Sequence, residues 1–200
     1  GIRDHCVTGV QTCALPISTL ERLSLPDRFP DPGEVRRRAA VAVIAGPHDE
    51  LLFIRRSERE GDPWSGHMAF PGGGEEATDA DLRATAARET WEEVGVDLGA
   101  GRFLGALPPL LSPRLLPDKA FGIHPYLWTL PVWPAFSPSD EVASIHPLSL
   151  RRIAAGEGRG TFRYKGYGME LDMPCLRLDD TFIWGLTLRI LDDLVARLGG

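Results

Sequence analysis

The stretch FPGGGEEATDADLRATAARETWEEVGV, Phe70 to Val96, decides how the rest of the chain is read. From Asp79 to Val94 it predicts the clearest helix in the sequence. Thr78 or Asp79 supplies a side-chain oxygen for its start, with Asp81 three residues after Thr78 as an acidic variant of a capping box. Gly95 suits the left-handed residue just past the end. Leu82, Ala86, Ala87 and Val94 supply the buried side. Glu89, Glu92 and Glu93 fall at i, i+3 and i+4, so three carboxylates share one helix face. Like charges at that spacing repel, and the only nearby base is Arg88. Converging carboxylates are what a hard cation such as Mg²⁺ or Mn²⁺ requires. The glycine run before the helix, Gly72-Gly73-Gly74, lets backbone approach a metal or a phosphate closely.

Outward from this segment, short strands alternate with helices. Ala39–Ala45 (AAVAVIA) and Leu51–Arg55 read as a hairpin across Gly46-Pro47-His48-Asp49, and His67–Phe70 as a further short strand. Downstream, Arg102–Leu107 and Phe121–Leu130 read as strands, Pro108–Lys119 as a Pro- and Leu-rich loop near the site, and Ser137–Glu141 as a turn. Ile145–Ile153 includes a short helix around Leu148–Ile153. Gly156–Leu178 holds a hairpin turning at Gly166. Thr181–Leu198 reads as an amphipathic helix with Ile183, Leu186, Leu188, Ile190, Leu191 and Leu194 on its apolar side. The elements do not form regular βαβ units, which predicts a mixed sheet with helices on its faces.

The 200 residues suit one domain with a sizeable core, expected over residues 36–198 after an irregular, proline-rich lead-in over 19–35. A net charge of -6 argues against nucleic acid as a partner, though not against a phosphate substrate held through cations. No apolar run is long enough to span a bilayer, so no membrane association is expected. Cys6, Cys13 and Cys175 fit neither a metal spacing nor a disulfide framework, and the default compartment is a reducing cytoplasm. Residues 1–18, GIRDHCVTGVQTCALPIS, show neither signal-peptide character nor clean periodicity. They resemble the translation of a sequencing-library adapter and are expected to be an assembly artefact, which leaves Cys175 as the native cysteine.

The central segment resembles the Nudix box. That pattern runs glycine, five residues, glutamate, seven residues, then Arg-Glu-aliphatic-any-Glu-Glu-any-Gly-aliphatic. Arg88, Glu89, Glu92, Glu93, Gly95 and Val96 match, and Thr90 stands at an aliphatic position. Counting back strictly puts Gly74 and Ala80 at the first glycine and glutamate. Counting forward from Gly73 puts Asp79 at that glutamate, with one extra residue before Arg88, and keeps an acid there. The resemblance implies an α/β/α sandwich and a hydrolase of nucleoside diphosphates linked to another moiety. It implies that Glu89, Glu92 and Glu93 ligate Mg²⁺ or Mn²⁺, joined by a carbonyl of the Gly72–Gly73 region. Arg88 would orient the carboxylates, and the family's first glutamate would support that arginine. Glu89, or a later-loop glutamate for which Glu141 is the candidate, would serve as base. Dimers are common in the family.

The likeness extends to one branch. Leu51-Leu52, Arg56-Ser57, Gly66, Phe70-Pro71-Gly72-Gly73, Thr78-Asp79, Asp81 and Ile183-Trp184-Gly185-Leu186-Thr187 resemble coenzyme A pyrophosphatases. Phe53 stands where that branch has threonine, and Asp62 where it has arginine. Arg56, Trp64, Gly72 and Gly73 are the expected substrate contacts: Trp64 to stack on a base, the glycines to pass phosphate. His67 is a phosphate contact or an ordinary strand residue, and Trp128, Trp133 and Trp184 are read as packing residues. The partner expected is a small nucleotide. Coenzyme A leads; ADP-ribose, NADH or nucleoside triphosphates are the enzyme-level alternative. A non-catalytic ligand sensor is the alternative of a different class, disfavoured because all three box glutamates are present.

Overall fold

The computed structural model describes residues 17–62, 64–112, 121–166 and 168–199. The adapter-like segment up to residue 16, with Cys6 and Cys13, and the 113–120 part of the Pro- and Leu-rich loop lie outside the described residues. The first element, α1 (Ile17–Leu20), starts inside the adapter-like stretch, and its Leu20 is buried in the core.

One mixed sheet forms the middle layer. Its path runs β3 (Met68–Ala69), β2 (Glu50–Arg56), β1 (Arg37–Gly46), β7 (Phe121–Thr129) and β5 (Arg102–Ala106). β4 (Gly72–Gly74) adds to β1, β6 (Leu110–Leu111) to β7, and β8 (Val142–Ser149) to β2. The β1–β7 pair is parallel, from Arg37 opposite Phe121 to Ala45 opposite Thr129; the other pairs of this sheet are antiparallel.

Strand alternation divides the core in two. Val43, Ala45, Leu51, Phe53 and Leu127 point to one side, where α3 (Leu150–Ala154) contributes Leu150 and Ile153 and α4 (Gly185–Leu198) contributes Leu188, Leu191 and Leu194. Ala40, Ala42, Ile44, Leu52, Ile54, Tyr126 and Trp128 point to the other, where α2 (Leu82–Val94) packs through Leu82, Ala86 and Val94. Helix, sheet and helix thus make the expected α/β/α sandwich. A second sheet of β9 (Arg159–Gly166), β10 (Met169–Leu178) and β11 (Thr181–Trp184) joins the α4 side through Leu176, Leu178 and Ile183.

Four expectations are corrected. The box helix begins at Leu82, not Asp79: Asp81 is its cap and accepts the Ala84 N–H at 2.7 Å. Thr78 and Asp79 do not cap it. The stretch from Thr181 is not one helix: the β-branched and aromatic Thr181–Trp184 pairs with β10, and the helix starts at Gly185, whose φ of 66° breaks the strand. Most of the region expected to include a helix is strand β8, with α3 only from Leu150, capped by Ser149. Leu110–Leu111, read as loop, pairs with β7.

Candidate active site

Two backbone devices position the site. β4 lays Gly72 and Gly73 along β1, opposite Val41 and Ala40. α2 then brings its glutamates against the same glycines. A Cβ on Gly73 would fall inside contact distance of the Glu89 carboxylate carbon and both its oxygens, so a side chain here would push that carboxylate from its place. Gly72, at φ 149°, sends its N–H to Glu93 Oε2 at 2.8 Å.

Arg88 is the hub. Its Nε donates to Asp79 Oδ1 at 2.9 Å and its Nη2 to Asp79 Oδ2 at 3.0 Å. Nη2 also reaches the Gly74 carbonyl at 3.0 Å, and Nη1 reaches Glu89 and Glu92, both at 3.0 Å. Thr85 Oγ1 donates to Asp79 at 2.9 Å. The residue that sequence alignment placed at the supporting acid thus receives a two-pronged guanidinium. Hydrogen bonds from Arg88 outweigh burial and hold the Asp79 carboxyl far below its usual range; the same partners raise Arg88.

The three glutamates do not converge equally. Glu93 turns inward and its side chain is buried; Glu89 is mostly covered; Glu92 is about half exposed, at 54%, on Arg88. Among the described residues no three acidic, His or Cys side chains form a ready-made cage. Arg88 draws Glu89 and Glu92 toward itself while the Gly72 amide holds Glu93. Burial pushes Glu93 up to about 7, against the Gly72 N–H and the charge of Arg56 and with the charges of Glu89 and Glu141 adding to the rise. Burial also raises Glu89, with Glu92 and Glu141 contributing and Arg88 opposing. Among the described residues no side-chain cation pairs with Glu93. A buried carboxylate crowded by like charges and cradled by side-chain-free glycines fits a hard divalent cation.

Glu141 sits on the loop before β8. Its side chain is exposed and bound to Arg59 Nη1 at 3.0 Å, and its carbonyl accepts the Ser57 N–H at 2.8 Å. Its charge is felt by both Glu89 and Glu93. Arg56, ending β2, gives Nη2 to Asp62 at 2.9 Å, while its Nε is buried without a partner among the described residues. Asp62 is lowered: burial raises it, but the Trp64 N–H and Arg56 prevail. Trp64 is 40% exposed and rests edge-on against Phe121, centroids 5.5 Å apart. His67 lies with its ring 5.1 Å from Trp184, half-buried, and burial lowers its pKa. Trp128 is buried beside Phe103, and Trp133 donates to Glu50 at 2.9 Å, both serving as packing residues; Trp184 stands among Phe162, Tyr164 and His67. The pairings Arg56–Asp62 and Arg59–Glu141 were not foreseen. The first spans a loop with no periodicity and the second 82 positions, so neither leaves a spacing signal.

The sandwich and the carboxylate helix against a glycine strand define a class: an α/β/α fold that gathers acidic side chains against side-chain-free backbone. Comparison with known proteins narrows this. The NUDIX domain family model matches residues 35–147, more than half of the chain. The Nudix hydrolase NudL of Pectobacterium atrosepticum is 32% identical over 185 residues, covering 88% of this chain and 90% of its own. NudL of Yersinia pestis is 29% identical, covering 81% and 80%. Among solved structures, the NUDIX domain of Shewanella oneidensis NrtR, in complex with ADP ribose, superposes with a TM-score of 0.55 at 16% identity, covering 84% of this chain and 94% of that one. A MutT NUDIX hydrolase of Burkholderia pseudomallei gives 0.50 at 18% identity, covering 79% and 97%. The chain belongs to the NUDIX domain family and is a Nudix hydrolase.

Proposed function

We propose that the protein is a divalent-metal-dependent pyrophosphatase that hydrolyses the phosphoanhydride bond of a nucleoside diphosphate derivative, with coenzyme A or a derivative as substrate. The observation that carries this reading is Glu93: a buried carboxylate beside Glu89, closed against Gly72 and Gly73, with no side-chain cation on it among the described residues. Glu89, Glu92 and Glu93 are the residues to hold Mg²⁺ or Mn²⁺, with backbone of Gly72–Gly73 beside them. Held there, the ion would supply positive charge to polarise the diphosphate and to stabilise the charge developing as the anhydride breaks.

The chain's own groups do the rest. Arg88, fixed at its far side by Asp79, sets the directions of Glu89 and Glu92. Arg56, at the end of β2 and held by Asp62, is the guanidinium proposed to meet a phosphate oxygen. Trp64 presents an exposed ring to the base. Glu141 is the proposed base that takes a proton from the attacking water, which requires its release from Arg59; Glu89 is the alternative. Water adds to one phosphorus, the bridging P–O bond breaks, and each half leaves with a phosphate.

The coenzyme A assignment rests on the resemblance to that branch, which spans roughly Val41 to Leu198. Asp62 favours a second reading, because the acid replaces the branch's arginine and occupies Arg56. On that reading ADP-ribose, NADH or nucleoside triphosphates are the substrates. Turnover of coenzyme A, NADH, ADP-ribose and nucleoside triphosphates with Mg²⁺, followed by product identification, decides. The proposal expects coenzyme A to be split fastest, into two phosphate-bearing products; equal rates on all four would overturn it.

A further inference from the structure

The candidate site is crowded with acids, and Arg56, Arg59 and Arg88 are each already held by one. Arg88 serves Asp79, Glu89 and Glu92. Arg59 pairs with Glu141 at 3.0 Å, and Arg56 with Asp62 at 2.9 Å. An anionic substrate therefore meets arginines whose charge is answered within the chain, and engaging one means displacing an acid. The three pairings do not yield alike. Arg88 orients the glutamates and is gripped by Asp79 at two nitrogens, which takes it out of the competition. Arg59 and Glu141 are both about half exposed, so solvent screens their attraction. The Arg56 and Asp62 side chains are mostly covered, at 27% and 20% exposure, so theirs is the pairing a ligand has to break.

Asp62 is set in place independently of the arginine it holds. Its Oδ2 accepts Arg56 Nη2, while its Oδ1 accepts the Trp64 N–H at 2.9 Å. Its own N–H reaches the Arg59 carbonyl at 3.3 Å, and its carbonyl accepts the Ser65 N–H at 3.1 Å. The acid thus belongs to a turn anchored by backbone. Burial raises it, but the Trp64 N–H and Arg56 hold it below the usual carboxylate range, so it stands there as an anion. Arg56 is within electrostatic reach of Glu93, the buried carboxylate of the proposed ion site. A phosphate arriving beside that carboxylate with its cation competes with Asp62 for the same guanidinium, since both anions seek the same N–H donors.

We infer that Asp62 is a positioning residue that withholds Arg56 from anions: a substrate phosphate must displace the Asp62 carboxylate before Arg56 can bind it. Asp62 takes Arg56 back when the phosphate leaves. The enzyme therefore binds its substrate more weakly than the arginine alone would allow. The contrary role, a brace that aims Arg56 at the substrate, predicts the opposite sign, because loss of a brace weakens binding. The inference rests on the proposed nucleoside diphosphate substrate and on Arg56 as its phosphate contact, and its main test needs no turnover.

The experiment is calorimetric binding of α,β-methylene ADP, which has no anhydride oxygen to cleave between its phosphates, to the full chain in saturating Mg²⁺. Asp62→Asn is the informative variant: asparagine keeps an Oδ1 for the Trp64 N–H and drops the charge on Arg56. The expected result is about ten-fold tighter binding, the size of one charge-assisted hydrogen bond no longer opposed. The gain should vanish when Arg56→Gln is added. Asp172→Asn, which removes the same charge from an exposed pair on β10, should leave the affinity unchanged. In steady state on the nucleotide split fastest, Asp62→Asn should lower KM by a similar factor without raising kcat. Equal or weaker binding by Asp62→Asn, a gain that survives Arg56→Gln, or no binding by parent and variant alike would overturn the inference. If the affinities behave as expected but no nucleotide in the panel is hydrolysed, the functional proposal fails and the withheld arginine stands.

Discussion

At the scale of single residues, Glu93 carries the most stress and gives the sharpest pH signature. Its folded-state pKa is pushed from 4.5 up to about 7 by burial. A raised carboxyl pKa means that the protonated form is the one the fold tolerates. Its contribution to stability is complete below about pH 4.5 and is lost as pH rises through about 7, by roughly 3 kcal/mol. In chelator, the urea midpoint should therefore fall between pH 5 and pH 8, and Mg²⁺ should restore it at pH 8. Asp79 has the opposite sign: its lowered pKa stabilises above the ordinary carboxylate range and the benefit is lost on acidification. Glu93→Gln should shrink the decline toward pH 8, leaving the smaller part due to Glu89, and leave the acid limb. Arg56 gives a second test. Lysine keeps its charge but lacks the planar fork of the guanidinium, so Arg56→Lys should raise KM about ten-fold with a smaller effect on kcat, measured in steady state.

At the scale of elements, the site depends on strand β4 meeting helix α2 with nothing between them. Gly73→Ala would place a methyl group against the Glu89 carboxylate. The expected result is a loss of turnover of about 100-fold, of the size that a misplaced reacting group produces, with little change in unfolding temperature. A variant of full activity would show that this approach is not needed. Much of this pair was legible in the sequence because it is local: Arg88 to Gly95 follows helical spacing, and glycine marks the close approach. The start of the helix was misread because Thr78, Asp79 and Asp81 are all good caps; the resemblance already set Asp79 beside Arg88, and the fold shows that this role leaves the capping to Asp81. Thr181–Trp184 was misread for a related reason. Its apolar residues fit a helical period, but pairing with β10 supplies backbone partners that no local pattern announces.

At the scale of the whole molecule, both cores share the strands of one sheet, so they should unfold together. Leu191→Ala, fully buried on the α4 side, should cost about 2–5 kcal/mol and lower the single unfolding transition rather than split it, as followed by calorimetry. Two transitions would show that the layers are independent. No helix among the described residues is long and apolar enough to cross a membrane. The layers, the parallel β1–β7 pair and the glycine strand exist to hold one buried carboxylate beside two others, and the central claim is that these glutamates hold the ion on which phosphoanhydride hydrolysis depends. The most direct measurement is Mg²⁺-dependent turnover of coenzyme A, or of whichever nucleotide in the panel is split fastest, by Glu93→Gln beside the parent protein. A loss of at least about 1,000-fold, in a variant as well folded as the parent, is the result predicted for removal of a group acting on the transition state. Retention of full Mg²⁺-dependent turnover by Glu93→Gln would contradict it.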